Sequence, residues 1–317
     1  MLHSFNDFEA WGDAVRGADL RLVCDRVKQP LWQLATVRVG EVEVQVAYEG
    51  AGNASYGVNT HAGPILFLPM THGGQHVANG ESLDGGACFL IPPGGDFSIA
   101  VKDCAHAWCS IAIPPGSLAA LQGCGGGDRH EAFSGPSRVL RSPLAATKRL
   151  RELISAVAGA DLFSMPHGPA HAAAARQLLA SAAACLPAAT VAPAPIGRPR
   201  LDRRRIIGCT MALIDADADK RTTVAELAAR VGVTQRTLVR VFHDSLGMSP
   251  RQYLSLRLLH GVRRSLRQAD PDGTTVSRVL VGHGIWEFGR FAVRYRRHFG
   301  ETLSATLCRS ITPGTEG

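Results

Sequence analysis

Five aromatic rings and four arginines are interleaved between Gly282 and Gly300, near the end of the chain. Guanidinium groups bind phosphates and base edges, whereas aromatic rings at helical spacing usually pack into a core. Phe291, Tyr295 and Phe299 recur every four residues and would share one face of a helix. The outward face would then carry Glu287, Arg290, Val293, Arg294 and Arg297. The segment therefore predicts a helix that binds nucleic acid, with a coiled-coil seam and a membrane-surface helix as alternatives.

The distribution of charge favours the nucleic-acid interpretation. The chain has 317 residues and a formal net charge of +7, and a chain of this length usually forms two domains. From Leu201 onward there are 19 Lys and Arg residues against 11 Asp and Glu, whereas the first 200 residues carry 15 against 16. A basic module joined to a nearly neutral one is typical of a protein that binds a polyanion through one of its parts.

Nothing in the sequence predicts a membrane span or export. No apolar run approaches the roughly 18 residues that a transmembrane helix needs. The first residues lack the basic and apolar segments of a secretory signal. The eight cysteines include no CxxC pair. We therefore expect reduced thiols in a cytoplasmic protein.

The region from about residue 30 to 115 has the pattern of short antiparallel strands separated by Gly and Pro turns. In the segment EVEVQVAYEG, Val42, Val44 and Val46 alternate with polar residues and are expected to line the interior of a barrel or sandwich. The aromatic residues expected to form the walls of a small-molecule site there are Trp32, Tyr48 and Trp108.

Two Ala- and Leu-rich segments between about residues 138 and 186 predict helices suited to forming a dimer. Residues 187–200 then contain four prolines and indicate an extended linker. The predicted domains are accordingly 1–186 and 201–317, on either side of this linker.

The second domain is predicted to begin with a helix from Leu201 to about Ile214 and to continue with a helix-turn-helix. Thr223 and Glu226 form a capping-box pattern, Gly232 interrupts the helix, and Thr234 can cap the next one. The second helix is predicted to present hydrogen-bonding and apolar side chains to a DNA major groove. Its outward residues are Gln235, Arg236, Val239 and Arg240.

A second unit of the same kind follows along the chain. Ser249 and Pro250 predict the start of a long helix. A short helix is then predicted from Thr275 to Val281, followed by a turn. The opening aromatic and arginine segment becomes the second helix of this unit, predicted from Trp286 to His298.

These motifs resemble the DNA-binding domain of the AraC/XylS family of bacterial transcriptional regulators, over roughly residues 205–308. The residues that carry the resemblance are Leu227, Ala228, Thr234, Leu238, Arg240, Phe242, Gly247, Ser249, Pro250, Tyr253, Gly284, Phe291, Tyr295, Phe299 and Gly300. Two positions depart from the family pattern, with Leu280 in place of a small residue and Ile285 in place of Phe. Trp286 and the RHFGE segment also resemble regulators of the ethanolamine-utilisation type.

The resemblance implies an α+β protein of two domains. The first would be an antiparallel, cupin-like or jelly-roll barrel with two helices that senses an effector and dimerises. The second would be all-helical, with two helix-turn-helix units that read successive major-groove segments of an operator. The implied partners are double-stranded DNA, a small-molecule effector, a second copy of the chain and RNA polymerase. We expect an activator in the bacterial cytosol, at the nucleoid, with no cofactor, metal or catalytic residues.

Other functions remain open at this stage. His72, His76 and Glu81 could suggest a cupin-type metal site or enzyme, although their spacing does not fit the cupin pattern. A polar turn is the preferred interpretation of that segment. A redox-responsive regulator that senses through Cys104 or Cys109 is the other alternative.

Overall fold

A computed structural model describes residues 2–71, 76–117, 133, 135–159, 168–186, 202–217 and 222–309, with the side chains of residues 25–29 left aside. The predicted linker at 187–200 lies outside the described residues, so the domain boundaries remain predictions. Within the described ranges, no helix has the length and apolar character needed to cross a membrane.

The N-terminal region is a near-barrel of antiparallel strands, as the resemblance implied. Its strands are β1 (Leu2–Phe5), β2 (Ala18–Val39), β3 (Val42–Asn59), β4 (Ile65–Pro69), β5 (His76–Ala78), β6 (Glu81–Leu83), β7 (Ala87–Ile91), β8 (Asp96–Val101), β9 (His106–Ala112) and β10 (Arg138–Arg141). They form one sheet in the order β10-β7-β4-β9-β3-β8-β5-β6, and β2 pairs with both β1 and β3. The helices of this region are α1 (Phe8–Ala14), α2 (Leu144–Gly159) and α3 (Pro169–Ala184).

Strand β3 organises the sheet because it is long enough to pair along its whole length. It forms a hairpin with β2 through a tight turn at Gly40, whose positive φ of 60° suits glycine. The first half of β3 pairs with β9, and the second half pairs with β8. One end of β3 therefore lies near α2 and α3, and its other end lies near the C-terminal helices.

The prediction that the β3 valines line the interior is wrong. Val42 and Val44 are buried in a cluster with Leu150 and Ile154 of α2, on the outer side of the sheet. The alternate side chains of β3 point the other way, into the near-barrel. Alternation identifies two different faces, but both faces of this strand are buried.

The C-terminal region is all-helical and contains the two predicted helix-turn-helix units. Its helices are α4 (Arg203–Ala216), α5 (Val224–Val231), α6 (Gln235–Leu246), α7 (Pro250–Gln268), α8 (Val276–Gly282), α9 (Phe288–Phe299) and α10 (Leu303–Cys308). Helices α5 and α6 form the first unit, α8 and α9 the second, and α7 joins them. Thr223 and Glu226 form the predicted capping box, and Gly232 ends α5 with a φ of 75°.

The helical region packs against β2, β3 and β8. Val23, Ala54 and Ala100 of these strands belong to the same buried cluster as the helices of the two units. Arg21 of β2 forms an ion pair with Asp215 of α4 at 2.8 Å. The apolar face of the helical region is therefore continuous with one face of the sheet.

A buried ion-pair network adds a second contact, between α7 and the N-terminal segment. The Arg263 guanidinium lies 2.7 Å from Asp7, 2.5 Å from Glu9 and 3.2 Å from Glu301, and it stacks over the ring of Phe299 at 4.7 Å. Burying this many charges is tolerable only when each has a partner. Arg263 thereby joins the beginning of the chain to the middle and end of the helical region.

We expect Arg263→Ala to lower the free energy of unfolding by about 1–3 kcal/mol, because Asp7, Glu9 and Glu301 each lose a charged hydrogen-bond partner and keep only Arg267, His260 and Arg309 respectively. Chemical denaturation of the full chain measures the change. The matched control is Arg264→Ala, which removes an exposed arginine from the next position of α7 and should change stability by no more than about 0.5 kcal/mol. Equal effects of the two substitutions would contradict a structural role for the network.

Candidate DNA-binding surface and interior cavity

The first of the two helices predicted to read DNA, α6, is held by its apolar face. Thr234 caps it by accepting a hydrogen bond from the backbone N–H of Thr237, and the side chains of Leu238 and Phe242 are fully buried. On the opposite face, Gln235, Arg236 and Arg240 are exposed, whereas Val239 is half-buried. Arg240 lies near a carboxylate of its own helix, Asp244, at 3.9 Å. Gln235 and Arg236 at the start of α6 are therefore the freest donors on this helix.

The second reading helix, α9, is anchored in the same way. Phe291 and Tyr295 are buried, and the Tyr295 hydroxyl lies 2.8 Å from that of Thr306 on α10. The helix starts at Phe288 and not at Trp286 as predicted, with Glu287 as its N-cap residue. The predicted reading residues Glu287, Arg290, Arg294 and Arg297 are all exposed.

Two of these arginines already have partners within the protein. Arg290 lies 3.4 Å from Glu287, and Arg294 donates a hydrogen bond to the hydroxyl of Ser255 on α7. The pairing with Glu287 is exposed and therefore weak. Both guanidiniums remain accessible to a polyanion, and the Ser255 contact orients Arg294 across the groove between α7 and α9.

Further residues on this surface were not singled out from the sequence. A groove of about 800 Å³ runs between β2, α7 and α9, and Arg251 and Arg264 of α7 line it together with Arg290 and Arg294. The only sequence feature that could have identified Arg251 and Arg264 is their position on the same long helix, α7. Trp286 is also 72% exposed, although large aromatic side chains are usually buried.

A separate cavity of about 70 Å³ lies inside the near-barrel. Strands β2 to β5 and β7 to β9 form its walls, and α1 covers it with Trp11. Among the predicted wall residues, Trp108 lines the cavity. Trp32 and Tyr48 are not among the lining residues. Trp32 is buried against the ring of Phe8 at 5.9 Å, and the register of β3 directs Tyr48 to the opposite side of the strand.

The cavity contains a buried polar cluster centred on Glu49. The indole N–H of Trp108 donates to Glu49 Oε1 at 2.7 Å, and His106 Nε2 lies 3.3 Å from the same oxygen. The amide of Asn53 donates to Glu49 Oε2. Although burial lowers the pKa of His106, the carboxylate of Glu49 raises it more, so the pair is held as a buried ion pair. His76 lies beside it, with its ring centroid 5.0 Å from that of His106.

Glu49 is not a free catalytic base. A His and Glu cluster in this region would favour an enzyme, but both oxygens of Glu49 already accept hydrogen bonds. Within the described part of the chain, no three His, Cys, Asp or Glu side chains are placed to hold a metal ion. His72 lies outside the described residues, and Glu81 is exposed, away from the cavity lining.

The cysteine alternative receives little support from the surroundings of Cys109. Burial raises the pKa of this thiol to about 12, which disfavours the reactive thiolate. Cys104 is half-buried and lies at the end of the turn before β9.

Helix α1 connects the cavity to the helical region. Trp11 lines the cavity, and its indole N–H donates to the Gln33 carbonyl at 3.3 Å. On the other side of α1, Glu9 lies 2.6 Å from His260 Nδ1, and Phe8 packs on the same imidazole with ring centroids 5.5 Å apart. Burial alone would raise the pKa of Glu9, but the His260 contact and the Arg263 charge hold it at about 2. Glu9 is therefore charged and paired at neutral pH.

Comparison with known proteins identifies the helical region. The profile described as "Helix-turn-helix domain" matches residues 227–309, which cover both units and the helix between them. Residues 227–309 form an AraC-type helix-turn-helix domain. The resemblance to the AraC/XylS family is thus confirmed for this domain. Leu280 and Ile285, where the sequence departs from the family pattern, are both buried.

The curated relatives match only the AraC-type domain. A probable thc operon regulatory protein of Rhodococcus erythropolis is 33% identical over 102 residues, which is 32% of this chain and 31% of that protein. The XylDLEGF operon transcriptional activator of Pseudomonas putida is 26% identical over 111 residues, or 35% and 33% of the two chains. The match therefore spans about a third of each relative.

Two solved structures give the corresponding similarity in three dimensions. The AraC-like transcriptional activator CuxR is 15% identical with a TM-score of 0.44, over 89% of this chain and all of that one. The DNA-binding domain of AdpA, solved in complex with a target DNA, is 23% identical with a TM-score of 0.30, over 33% of this chain and 91% of that one.

We expect acid to destabilise the packing of α9 through His298. Burial, together with the charge of His260, lowers the pKa of His298 to about 3, whereas the unfolded chain has a value of about 6.5. Between these values only the unfolded state binds the proton, so the free energy of unfolding falls as the pH drops below about 6.5. His298 contributes at most about 1.4 kcal/mol per pH unit to this slope.

The test is denaturation of wild type and His298→Phe between pH 7 and pH 5. The variant should show a shallower decline in the free energy of unfolding. Burial and the charge of His106 also lower the pKa of His76 to about 3, so His76 contributes in the same direction and remains in both proteins. An unchanged slope would show that His298 carries its proton in the folded protein.

Proposed function

We propose that the protein is a sequence-specific DNA-binding transcriptional regulator, whose helices α6 and α9 enter successive major-groove segments of an operator. The observation that carries this proposal is the common construction of the two helices. Each is fixed by buried apolar side chains and presents arginines to solvent at its start. The name of the Pseudomonas putida relative supports activation of transcription, for which RNA polymerase would be the further partner.

The exposed side chains of the reading helices fall into two proposed roles. Arg236 and Arg290 lie near the starts of α6 and α9, the part of a reading helix that reaches deepest into the groove, so they would contact base edges. Arg297 lies near the end of α9 and would contact phosphate. Gln235 and Val239 complete the base-facing surface of α6. Arg240, Glu287 and Arg294 have partners in the protein and would position the neighbouring side chains.

We expect Arg236→Ala and Arg290→Ala each to weaken operator binding by about 1–3 kcal/mol and to relax preference at one or two base pairs. Arg297→Ala should instead weaken binding to all duplexes alike and reduce the dependence of log affinity on log salt by about one unit. An operator selected from random duplexes, followed by anisotropy titrations at several salt concentrations, measures both effects in the full chain.

The matched control is Arg149→Ala, because Arg149 is an exposed arginine on α2, outside the helix-turn-helix domain. This substitution should leave affinity, selectivity and salt dependence unchanged. If the Arg236 and Arg290 variants also bound the operator with unchanged affinity and selectivity, the assignment of reading residues would be wrong. If the wild-type chain selected no duplex, the proposed function itself would be wrong.

The N-terminal region would sense a small molecule in its cavity and transmit the change through α1. The supporting observation is that one short helix carries both Trp11, which covers the cavity, and Glu9, which pairs with His260 and Arg263 of α7. An effector that moves Trp11 would thereby act on the docking of the helix-turn-helix domain. This proposal makes the chain a regulator without enzymatic activity, located in the cytoplasm.

Dimerisation through α2 and α3 is part of the same proposal. Leu150, Ile154 and Leu178 of these helices are buried against their own sheet, so a dimer would use the outer surface of the pair. Leu144, which is 64% exposed at the start of α2, is the large apolar side chain available there.

A further inference from the structure

The cavity under α1 combines an apolar wall with one unsatisfied polar group. Aromatic and aliphatic side chains provide most of the lining, and among the aromatic ones are Trp11, Phe67, Phe97 and Trp108. Most of the polar groups lie on the side formed by β3, β5 and β9, and Arg16 lines the cavity from the segment between α1 and β2. A molecule held here would therefore meet apolar surface on most sides and polar groups mainly on one.

The charged side chains of the cavity lining leave no free counter-ion beside His76. Glu49 already accepts hydrogen bonds from Trp108 and Asn53 and lies 3.3 Å from His106. Arg16 also lines the cavity, but it is exposed to solvent. The rings next to His76 are those of Phe67 and His106. A charged group of a ligand placed there would lose its hydration without gaining a free counter-ion, which is strongly unfavourable. The part of the cavity beside His76 therefore selects against ionised groups.

His76 is the group that lacks a partner. Its side chain is 1% exposed, it lines the cavity, and its Nε2 atom has no hydrogen-bond partner within the described residues. Burial and the charge of His106 keep the ring neutral. A neutral imidazole nitrogen donates or accepts one hydrogen bond according to its tautomer, and a buried nitrogen without a partner is costly. The missing partner can come from a ligand.

The size of the cavity limits that ligand. Its volume is about 70 Å³, whereas an apolar cavity that accommodates benzene measures roughly 150 Å³. A single ring would enter only with an outward movement of Trp11 on α1. A fused pair of rings would require displacement of the strands themselves.

We propose that the cavity binds a small uncharged molecule, with an apolar body no larger than one ring and a single hydroxyl or amide group that hydrogen-bonds to His76. This inference rests on the proposed sensing function and names the chemical class of its effector. Phenol is the simplest probe with these properties.

The first experiment ranks matched probes against the full chain by calorimetry, with phenol, benzene, benzoate, benzylamine and 2-naphthol. Phenol should bind about three- to tenfold more tightly than benzene, which offers no hydrogen bond. Benzoate and protonated benzylamine should bind at least about tenfold more weakly than phenol. Preference for a charged probe, equal affinity for benzene and phenol, or tightest binding of 2-naphthol would each overturn the proposal.

The second experiment locates the hydrogen bond. His76→Phe should bring the affinities for phenol and benzene within about twofold of each other, because the polar partner is gone. The matched control is His171→Phe, which replaces a buried histidine of α3 outside the cavity and should retain the preference for phenol. If His76→Phe does not fold, the alternative test is to measure the imidazole ¹⁵N chemical shifts of the histidines in the wild-type protein by NMR. A change at His76 on addition of phenol supports the contact, and no change overturns it.

A third measurement separates the ligand class from the proposed function. Operator binding by the wild-type chain is titrated with and without each probe. If phenol binds in the predicted order but leaves operator binding unchanged, the ligand class stands and the sensing role fails. If a charged probe binds most tightly and changes operator binding, the sensing role stands and the ligand class is wrong.

Discussion

The Arg263 guanidinium is the point at which three distant parts of the chain meet. Asp7 and Glu9 come from the N-terminal segment, and Glu301 follows the second reading helix. The charges of this network are largely buried, and each carboxylate has a second cationic partner, namely Arg267 for Asp7, His260 for Glu9 and Arg309 for Glu301. Helix α1 has only seven residues, too few for stability on its own, so its position depends on this contact as well as on the sheet. Helix α1, which covers the cavity, and the docked helical region are therefore held together as one structural unit.

The same electrostatic principle shapes the interior of the sheet. Strand β3 places Val42 and Val44 against the helices α2 and α3, and it places Glu49 and Asn53 inside the near-barrel. A polar interior is stable here because the Glu49 oxygens are satisfied by Trp108, His106 and Asn53. The apolar face of the strand thus packs against α2 and α3, and the polar face lines the cavity.

The helix-turn-helix units could be predicted almost completely, because their signals are local. The capping box at Thr223, the glycine at 232 and the spacing of Phe291 and Tyr295 each span only a few residues. The start of α9 was missed by two residues because Glu287, and not a residue before Trp286, occupies the N-cap position. In these units the local helix propensity agrees with the tertiary packing. The spacing of the apolar residues was therefore sufficient to predict the helices.

The cavity could be predicted only in outline, because its residues are brought together by long-range pairing. Glu49 meets Trp108 across 59 positions of sequence, and Arg263 meets Glu9 across 254. Alternation in β3 shows that its two faces differ, but it does not show which face the helices cover. For this reason the valines were expected inside, whereas Gln45 and Glu49 of the opposite face line the cavity.

Helix α1 makes the cavity and the helix-turn-helix domain interdependent through simple geometry. Phe8, Glu9 and Trp11 lie within one turn of a short helix, so an outward movement of Trp11 carries the Glu9 carboxylate with it. The contacts of Glu9 with Arg263 and His260 are 2.5 Å and 2.6 Å long, and a displacement of about 1 Å takes them out of hydrogen-bonding range. Because those charges are largely buried, separating them requires that water hydrate each charged group. An arrangement in which the charges are apart but not hydrated is unfavourable. A ligand can shift that balance only by its difference in affinity for the two arrangements. For the proposed ligand, the small volume of the cavity would provide this difference, since a ring would fit only the arrangement in which Trp11 has moved outward.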